Sequence, residues 1–209
     1  MENKIEIETR YLPEEEIRTN QKPYEDYYSC LNDTFELSKT NSFCDVGCAN
    51  GPLLSILKKE HENMDLLGLE YFDWQKSAAH PEIQKLISIQ DLRDDIGDKY
   101  KKYEIVNCTE TGEHIDPDYC DIFLNNLKKL TTKYLIISWA NSGGVNDRVN
   151  DKNLQHLNPL PIEKVRQMVS DYGFEFDERL TNLFINSSLN KNEFYFWWRN
   201  SLSIFKVKQ

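Results

Sequence analysis

The chain has 209 residues and a formal net charge of −10, which argues against a general electrostatic grip on nucleic-acid backbone. Its five cysteines lack the spacing of a disulfide framework or a metal site, so we expect a reducing compartment, the cytoplasm. Residues 1–10 lack the apolar centre of a signal peptide, and no apolar run reaches membrane length, so we expect no membrane partner. The length suits one domain spanning residues 1–209. Nothing in the composition indicates an oligomeric state.

The N-terminal segment, residues 1–41, is polar and acidic and predicts a helical arm ahead of a core at 42–209. Three tyrosines cluster in this arm, at Tyr24, Tyr27 and Tyr28. Two interpretations stay open. Either the arm lies over a functional site, or the tyrosines only dock it on the core through their apolar rings.

The core begins with a short buried strand that leads into a glycine turn and a helix. Residues 43–46 suit a strand covered on both faces, and Pro52 suits the first turn of a helix. The turn between them, Asp45 to Gly51, would aim free backbone N–H groups at a ligand. It does not fit the dinucleotide fingerprint G-x-G-x-x-G, because Ala49 and Pro52 occupy the second and third glycine positions. An ordinary strand-to-helix turn is the alternative.

Two further predicted strands end in acids. Residues 64–70 form a buried run that ends at Glu70, 19 residues after Gly51, and a carboxylate at such a strand end suits the two hydroxyls of a ribose. Either of the next two residues, Tyr71 or Phe72, could pack on a base. Residues 85–92 predict a third strand that ends at Asp91, where an acid can accept a hydrogen bond from an adenine amino group.

The fourth predicted strand, residues 102–108, runs into a cluster of Glu110, Glu113 and His114. A long polar connection at 140–161 carries His156, and loops of that length in compact domains are usually functional or disordered. The remaining predicted elements are a helix at 118–130, a strand at 133–139, a helix at 161–172, a strand at 174–177 and a last strand at 193–207, whose aromatic run 194–198 we assign to the core.

This alternation of strand and helix predicts an α/β fold. We expect a doubly wound, mostly parallel seven-stranded sheet with helices on both faces and an antiparallel last strand. Ligands of such sheets bind beyond the carboxyl ends of the strands. The predicted strand tips should meet at that edge: Asp45 to Gly51, Glu70, Asp91, and Cys108 to His114.

The order of these motifs resembles that of the class I methyltransferases, which use S-adenosylmethionine (SAM). The segments that match are Asp45 to Gly51, Glu70, Asp91 and residues 103–115, with Ala49 in place of the middle glycine of the family's acidic-x-Gly-x-Gly-x-Gly loop. The resemblance implies SAM as the cofactor. It places Asp45, Gly47, Ala49 and Gly51 at the methionine end, Glu70 at the ribose, and Asp91 with Leu92 at the adenine, with Tyr71 and Cys108 beside them.

The Glu110-x-x-Glu113-His114 segment resembles that of metal-assisted O-methyltransferases, including those of the ubiquinone pathway. With His156 added, the set resembles the metal site of the small-RNA 2′-O-methyltransferases. The resemblance implies a divalent ion, Mg²⁺ or Mn²⁺, on Glu110, Glu113, His114 and His156, and makes His114, His156 and Glu110 the catalytic candidates. In the alternative, Glu113 only favours a helix N-terminus and His114 is a packed residue.

The sequence therefore predicts a SAM-dependent methyltransferase that methylates a hydroxyl oxygen of a small molecule or a sugar or glycan. A metal-dependent RNA 2′-O-methyltransferase is the second interpretation; the acidic charge makes nucleic acid the less favoured partner, with an RNA end kept open. A third interpretation, from a different class, is a methyltransferase fold that only binds a partner. The Ala49 replacement is its sole support, and intact Asp45 and Glu70 argue against it.

Overall fold

The computed structural model describes residues 21–141, 156–189 and 199–208. In this part of the chain, seven strands form one sheet in the order β3-β2-β1-β4-β5-β7-β6. The strands from β1 to β5 pair in parallel, and β7 pairs antiparallel with both β5 and β6. In chain order they are β1 (Ser42–Val46), β2 (Asp65–Glu70), β3 (Ile87–Ile89), β4 (Tyr103–Cys108), β5 (Thr131–Ser138), β6 (Phe174–Phe176) and β7 (Leu202–Val207).

Helices cover both faces of this sheet. Those described are α1 (Gln21–Thr34), α2 (Pro52–Glu60), α3 (Asp73–Ala78), α4 (Pro81–Gln84), α5 (Cys120–Leu130), α6 (Ile162–Asp171) and α7 (Glu178–Leu189), with short 3₁₀ turns at Leu37–Lys39, Gly112–His114 and Pro117–Tyr119. One core cluster joins α1, α2 and α7 to the sheet through residues such as Phe43, and the other joins α5 and α6 to it through Cys44. Neighbouring residues of β1 thus face opposite cores, as in a strand buried on both sides. The predicted fold class is confirmed.

Two predicted strands are longer than those observed. The third strand ends at Ile89 rather than Asp91, because its partner β2 ends at Glu70, opposite Ile89. The Gln90 N–H still donates to the Glu70 carbonyl at 2.8 Å. The last strand begins only at Leu202, after a turn at 199–201. The predicted aromatic core at 194–198 lies outside the described residues.

The N-terminal arm is represented by α1, since residues 1–20 lie outside the described part. Tyr27 packs edge-on against Phe184 of α7, with ring centroids 5.2 Å apart. The Tyr28 hydroxyl lies 3.1 Å from the Nε2 atom of His61, at the end of α2. Both tyrosines therefore dock the arm on the core. No helix among the described residues is long and apolar enough to span a membrane.

Candidate cofactor and acceptor site

The turn after β1 adopts an unusual backbone conformation at three alternate residues. Gly47, Ala49 and Gly51 have φ angles of 72°, 49° and 74°. A side chain at Gly47 would place its Cβ 2.2 Å from Thr111 Oγ1, and one at Gly51 would lie 2.5 Å from Ile83 Cγ2. Neither position can therefore accept a side chain without displacing its neighbour. Of these three residues, only Ala49 carries a Cβ in the left-handed region.

The carboxylate of Glu70 holds this turn from the neighbouring strand end. Its Oε2 accepts the N–H of Ala49 at 2.9 Å, and its Oε1 accepts the N–H groups of Tyr71 and Phe72 at 2.9 and 3.0 Å. The residue is only 7% exposed. Each carboxylate oxygen can accept more than one hydrogen bond, so this anchored group keeps acceptor capacity for a ligand hydroxyl.

Asp45 forms the second buried carboxylate of the edge. It is 5% exposed and accepts a hydrogen bond from Asn107 Nδ2 at 2.8 Å. Burial raises its pKa to about 7, the Asn107 hydrogen bond opposes that rise, and the nearby charge of Glu70 adds to it. Among the described residues, no Lys or Arg forms an ion pair with Asp45 or Glu70. Two buried carboxylates without a counter-ion favour a cationic ligand.

Asp91 is engaged by a residue that the sequence analysis did not single out. Its Oδ1 accepts Arg93 Nε at 2.9 Å, and its Oδ2 accepts Arg93 Nη2 at 2.6 Å. The guanidinium carbon of Arg93 also lies 5.1 Å from the centre of the exposed Tyr71 ring. Tyr71 is thus exposed beside Arg93, and Asp91 faces the same guanidinium. An adenine amino group would have to compete with that guanidinium.

Leu92 and Cys108 lie deeper than the other predicted cofactor residues. Both are buried in the core cluster that joins α5 and α6 to the sheet. The carbonyl of Leu92 accepts Asn126 Nδ2 at 3.1 Å. Burial raises the pKa of the Cys108 thiol well above its usual value. The Cys108 side chain therefore packs in the core at the end of β4.

Three of the four predicted metal ligands come together after β4. Possible ligand atoms of Glu113, His114 and His156 all lie within 4.8 Å of one another, and the two imidazole rings meet edge-on with centroids 5.0 Å apart. Glu113 is fully buried, and no residue in the described part of the chain makes a hydrogen bond of good geometry to its carboxylate oxygens. Burial, reinforced by the charge of Glu110, raises its pKa to about 9. A buried carboxyl group without a hydrogen-bond partner calls for an explanation, and an ion or a water bound at this cluster would supply one.

The segment that carries His156 is held by one main-chain and one side-chain hydrogen bond at Asn158. The Asn158 N–H donates to the Glu113 carbonyl at 2.9 Å, and the indole Nε1–H of Trp139 donates to the Asn158 carbonyl at 2.6 Å. The Trp139 ring also fills the space beside Gly112, where a Cβ would lie 2.1 Å from it. Trp139 therefore contacts both halves of the cluster.

Glu110 lies beside this cluster, outside the three-residue group. Its φ angle is 52°, a strained conformation for a residue with a Cβ. Ser138 holds it there: the Ser138 hydroxyl accepts the Glu110 N–H at 3.0 Å and donates to Glu110 Oε1 at 2.6 Å. The carboxylate is close enough to raise the pKa of Glu113, so the two acids share one electrostatic environment.

Comparison with known proteins agrees with this geometry. Residues 19–179 match the family described as Methyltransferase domain. The chain belongs to this methyltransferase family. No curated protein sequence matches it.

Solved structures of other methyltransferases share the fold. The O-methyltransferase domain of StiE is 16% identical with a TM-score of 0.62, covering 95% of this chain and 78% of that one. The methyltransferase domain of bacterial CtHen1-C is 18% identical with a TM-score of 0.60, covering 91% and 99%. Magnesium protoporphyrin IX methyltransferase (ChlM) from Synechocystis PCC 6803 is 18% identical with a TM-score of 0.61, covering 96% and 89%. Identities this low show the fold alone.

Several contacts of this methyltransferase domain were not predicted. Asn107, Arg93 and Trp139 each bind a predicted site residue or its segment. Asn107 offered a signal, because a polar amide at the end of a buried strand needs a partner. Arg93 and Trp139 offered none, since their partners are set by a loop conformation and by a fold-dependent contact.

Proposed function

We propose that the protein transfers a methyl group from SAM to a hydroxyl oxygen of a small molecule or a sugar or glycan. The observation that carries the cofactor half is a pair of buried carboxylates near the ends of adjacent strands, Asp45 and Glu70, with which no described Lys or Arg forms an ion pair. SAM, when bound, supplies a methyl group on a cationic sulfonium and also carries an ammonium group. Such a ligand would compensate both carboxylates. The ChlM relative was solved with SAH, the demethylated form.

The chain's own residues have separate tasks in this proposal. Glu70 would accept the ribose hydroxyls while it keeps the turn in place, and Asp45 would hold a cationic part of the cofactor. The glycine turn lets the backbone approach the ligand closely. Because the methyl donor is already electrophilic, the protein mainly needs to position the acceptor and to take its proton.

The cluster of Glu113, His114 and His156 suits the acceptor side. A carboxylate with two imidazoles fits a divalent ion such as Mn²⁺, and also Mg²⁺ if water completes the shell. The buried, unpartnered oxygens of Glu113 support that fit. A divalent ion there would lower the pKa of an acceptor hydroxyl. Without the ion, His114, His156 or Glu110 would remain to take the proton.

Calorimetric titration of the purified protein with SAM and SAH tests the cofactor half. We expect saturable binding, and we expect Glu70→Ala to weaken it at least tenfold. Glu62→Ala, which removes an exposed glutamate between α2 and β2, is the matched control and should bind as the unchanged protein does. A folded protein that binds neither ligand would refute the enzyme interpretation.

Titration with Mn²⁺ and Mg²⁺ after chelation tests the metal half. Glu113→Gln keeps the size of the side chain and removes the anionic oxygens. We expect it to abolish metal binding while SAM affinity stays unchanged, because the ion would contact the acceptor rather than the cofactor. Equal metal binding by Glu113→Gln would exclude Glu113 as a ligand.

Two further functions follow from the same observations. An RNA 2′-O-methyltransferase is the second candidate, because a divalent site suits the two adjacent hydroxyls of a terminal ribose. A binding module without activity is the third, and SAM binding without turnover on a broad panel of hydroxylated acceptors would favour it. Transfer of a labelled methyl group to any alcohol or sugar on that panel would instead support the first proposal.

A further inference from the structure

A buried chain of hydrogen bonds connects the N-terminal helix to the cofactor edge. Tyr27 of α1 donates its hydroxyl proton to Asn107 Oδ1 at 2.7 Å, across 80 residues of sequence. Asn107 in turn donates from Nδ2 to Asp45 Oδ1 at 2.8 Å. Asp45 and Asn107 are register partners on β1 and β4, so their side chains lie on the same face of the sheet. We call this series the Tyr27 chain.

Asp45 and Tyr27 engage opposite ends of the Asn107 amide. The amide has one acceptor end and one donor end, and a rotation of 180° would exchange them. An ionised carboxylate only accepts, so Asp45 requires the NH₂ group and leaves Oδ1 facing Tyr27. The tyrosine hydroxyl supplies the donor that this buried oxygen needs. Tyr27 therefore holds the amide in the position from which it donates to Asp45.

We propose that Tyr27 is a positioning residue of the cofactor site, acting on Asp45 through Asn107. The inference rests on the proposed SAM-dependent function. Docking of α1 and binding of the cofactor then favour each other, because a coupling between two sites is reciprocal. The N-terminal helix is thus part of the binding machinery although Tyr27, 8% exposed and packed on Phe184, lies in the core.

The neighbouring tyrosine provides a matched control. Tyr27→Phe keeps the ring that packs on Phe184 and removes only the hydroxyl. Tyr28→Phe removes a hydroxyl from the same helix, but that hydroxyl contacts His61 rather than the Tyr27 chain. Calorimetry should show SAM binding about five- to tenfold weaker in Tyr27→Phe, the size expected for one buried hydrogen bond. Binding by Tyr28→Phe should match that of the unchanged protein.

A second background separates positioning from a general loosening of the helix. In Asn107→Leu the chain is already broken, so adding Tyr27→Phe should change SAM affinity less than twofold, whereas independent effects would multiply. Amide hydrogen exchange of residues 21–34 should slow when SAM binds to the unchanged protein, and slow much less in Tyr27→Phe. Circular dichroism establishes that each variant is folded.

Each outcome decides the inference. Equal SAM affinity of Tyr27→Phe and the unchanged protein would overturn it while leaving the proposed function intact. Equal weakening by Tyr27→Phe and Tyr28→Phe would also overturn it, since the cause would then be the stability of α1. No SAM binding by the unchanged, folded protein would remove the proposed function itself, and the inference with it.

Discussion

Ala49 combines a strained backbone with a functional hydrogen bond. Its φ of 49° costs a residue with a Cβ about 1 kcal/mol, and the Glu70 carboxylate accepts its N–H. We expect Ala49→Gly to raise the free energy of unfolding by about 0.5 kcal/mol, because the relieved strain exceeds the added entropy of the unfolded chain. Urea denaturation with an unchanged m-value measures this.

The control for that substitution is Gly51→Ala in the same turn. Its φ of 74° and the 2.5 Å approach of its Cβ to Ile83 predict a loss of at least about 1 kcal/mol. A clear loss of stability in Ala49→Gly would contradict the strain argument. It would also mean that alanine contributes a packing contact at this position that outweighs its backbone cost.

Asp45 makes the stability of the ligand-free protein depend on pH. Its pKa is about 7 in the folded protein against an ordinary 3.8, so between those values the unfolded state loses the proton first. The free energy of unfolding therefore falls as pH rises through that range. Asp45→Asn keeps an acceptor for Asn107 but has no charge. We expect it to be more stable than the unchanged protein by about 1–4 kcal/mol at pH 8.

The comparison needs a second pH to be decisive. Near pH 4 both the carboxyl and the amide are neutral in the folded state, so the two proteins should have nearly equal free energies of unfolding. Urea titrations at both pH values measure the difference. A gap of the same size at pH 4 and pH 8 would show that the effect of Asp45→Asn is packing rather than charge.

At the scale of residues, the sequence indicated candidate positions but not their partners. Asp45 and Glu70 were singled out because each lies at or near the end of a buried apolar run, and such strand ends meet at one edge of a sheet. The partner of Asp91 was not predicted. Its contact with Arg93 depends on a loop conformation, and a loop leaves no periodic pattern in the sequence. Glu110 was predicted as a metal ligand, yet the structure groups only Glu113, His114 and His156. That prediction awaits the metal titration.

At the scale of elements, β5 supports the cluster of Glu113, His114 and His156 through the tryptophan that follows the strand. Trp139 is fully buried and donates its indole N–H to the Asn158 carbonyl. We expect Trp139→Phe to lower the free energy of unfolding by about 1–3 kcal/mol, because that carbonyl loses its partner and a smaller ring leaves a cavity. Mn²⁺ affinity should fall as His156 moves, while SAM affinity stays within about twofold.

Trp74→Phe is the matched control for that prediction. The indole Nε1 of Trp74 is buried and has no hydrogen-bond partner within residues 21–141, 156–189 and 199–208, so its removal should leave stability unchanged or slightly higher. Thermal unfolding and metal titration of both variants make the comparison. If Trp139→Phe kept full Mn²⁺ affinity, the His156 segment would be held by its main-chain bonds to Glu113 and Ala140 alone.

Helices and strands with an uninterrupted apolar pattern were predicted more accurately than those without one. The central strands β1, β2, β4 and β5 are mostly buried and were predicted to within two residues at each end. Helix α7 was missed because two of its four buried positions are polar, Thr181 and Ser188, which interrupts the apolar stripe. Thr181 is buried because its hydroxyl accepts the N–H of Ile204 in β7, a contact set by the fold rather than by local pattern.

For the whole molecule, the fold gives the two halves of the candidate site to different strands. Asp45 and Glu70, which we propose for the cofactor, lie near the ends of β1 and β2. The cluster of Glu113, His114 and His156, which we propose for the acceptor, follows β4 and is completed by the segment after β5. These four strands are adjacent in the sheet. A ligand bound at the first pair can therefore meet one bound at the second. The extent of the domain and the acceptor stay predictions.

The overall charge favours a small acceptor over RNA. A net charge of −10 disfavours contact with a phosphate backbone, and a small hydroxylated acceptor meets no such barrier. We expect no saturable binding of a short single-stranded RNA between about 50 and 200 mM salt. Fluorescence anisotropy of an end-labelled RNA, with SAH and Mn²⁺ present to complete the site, makes the measurement. Saturable binding that weakens steeply with salt would reverse the ranking, because only a local basic surface strong enough to overcome the net charge could produce it.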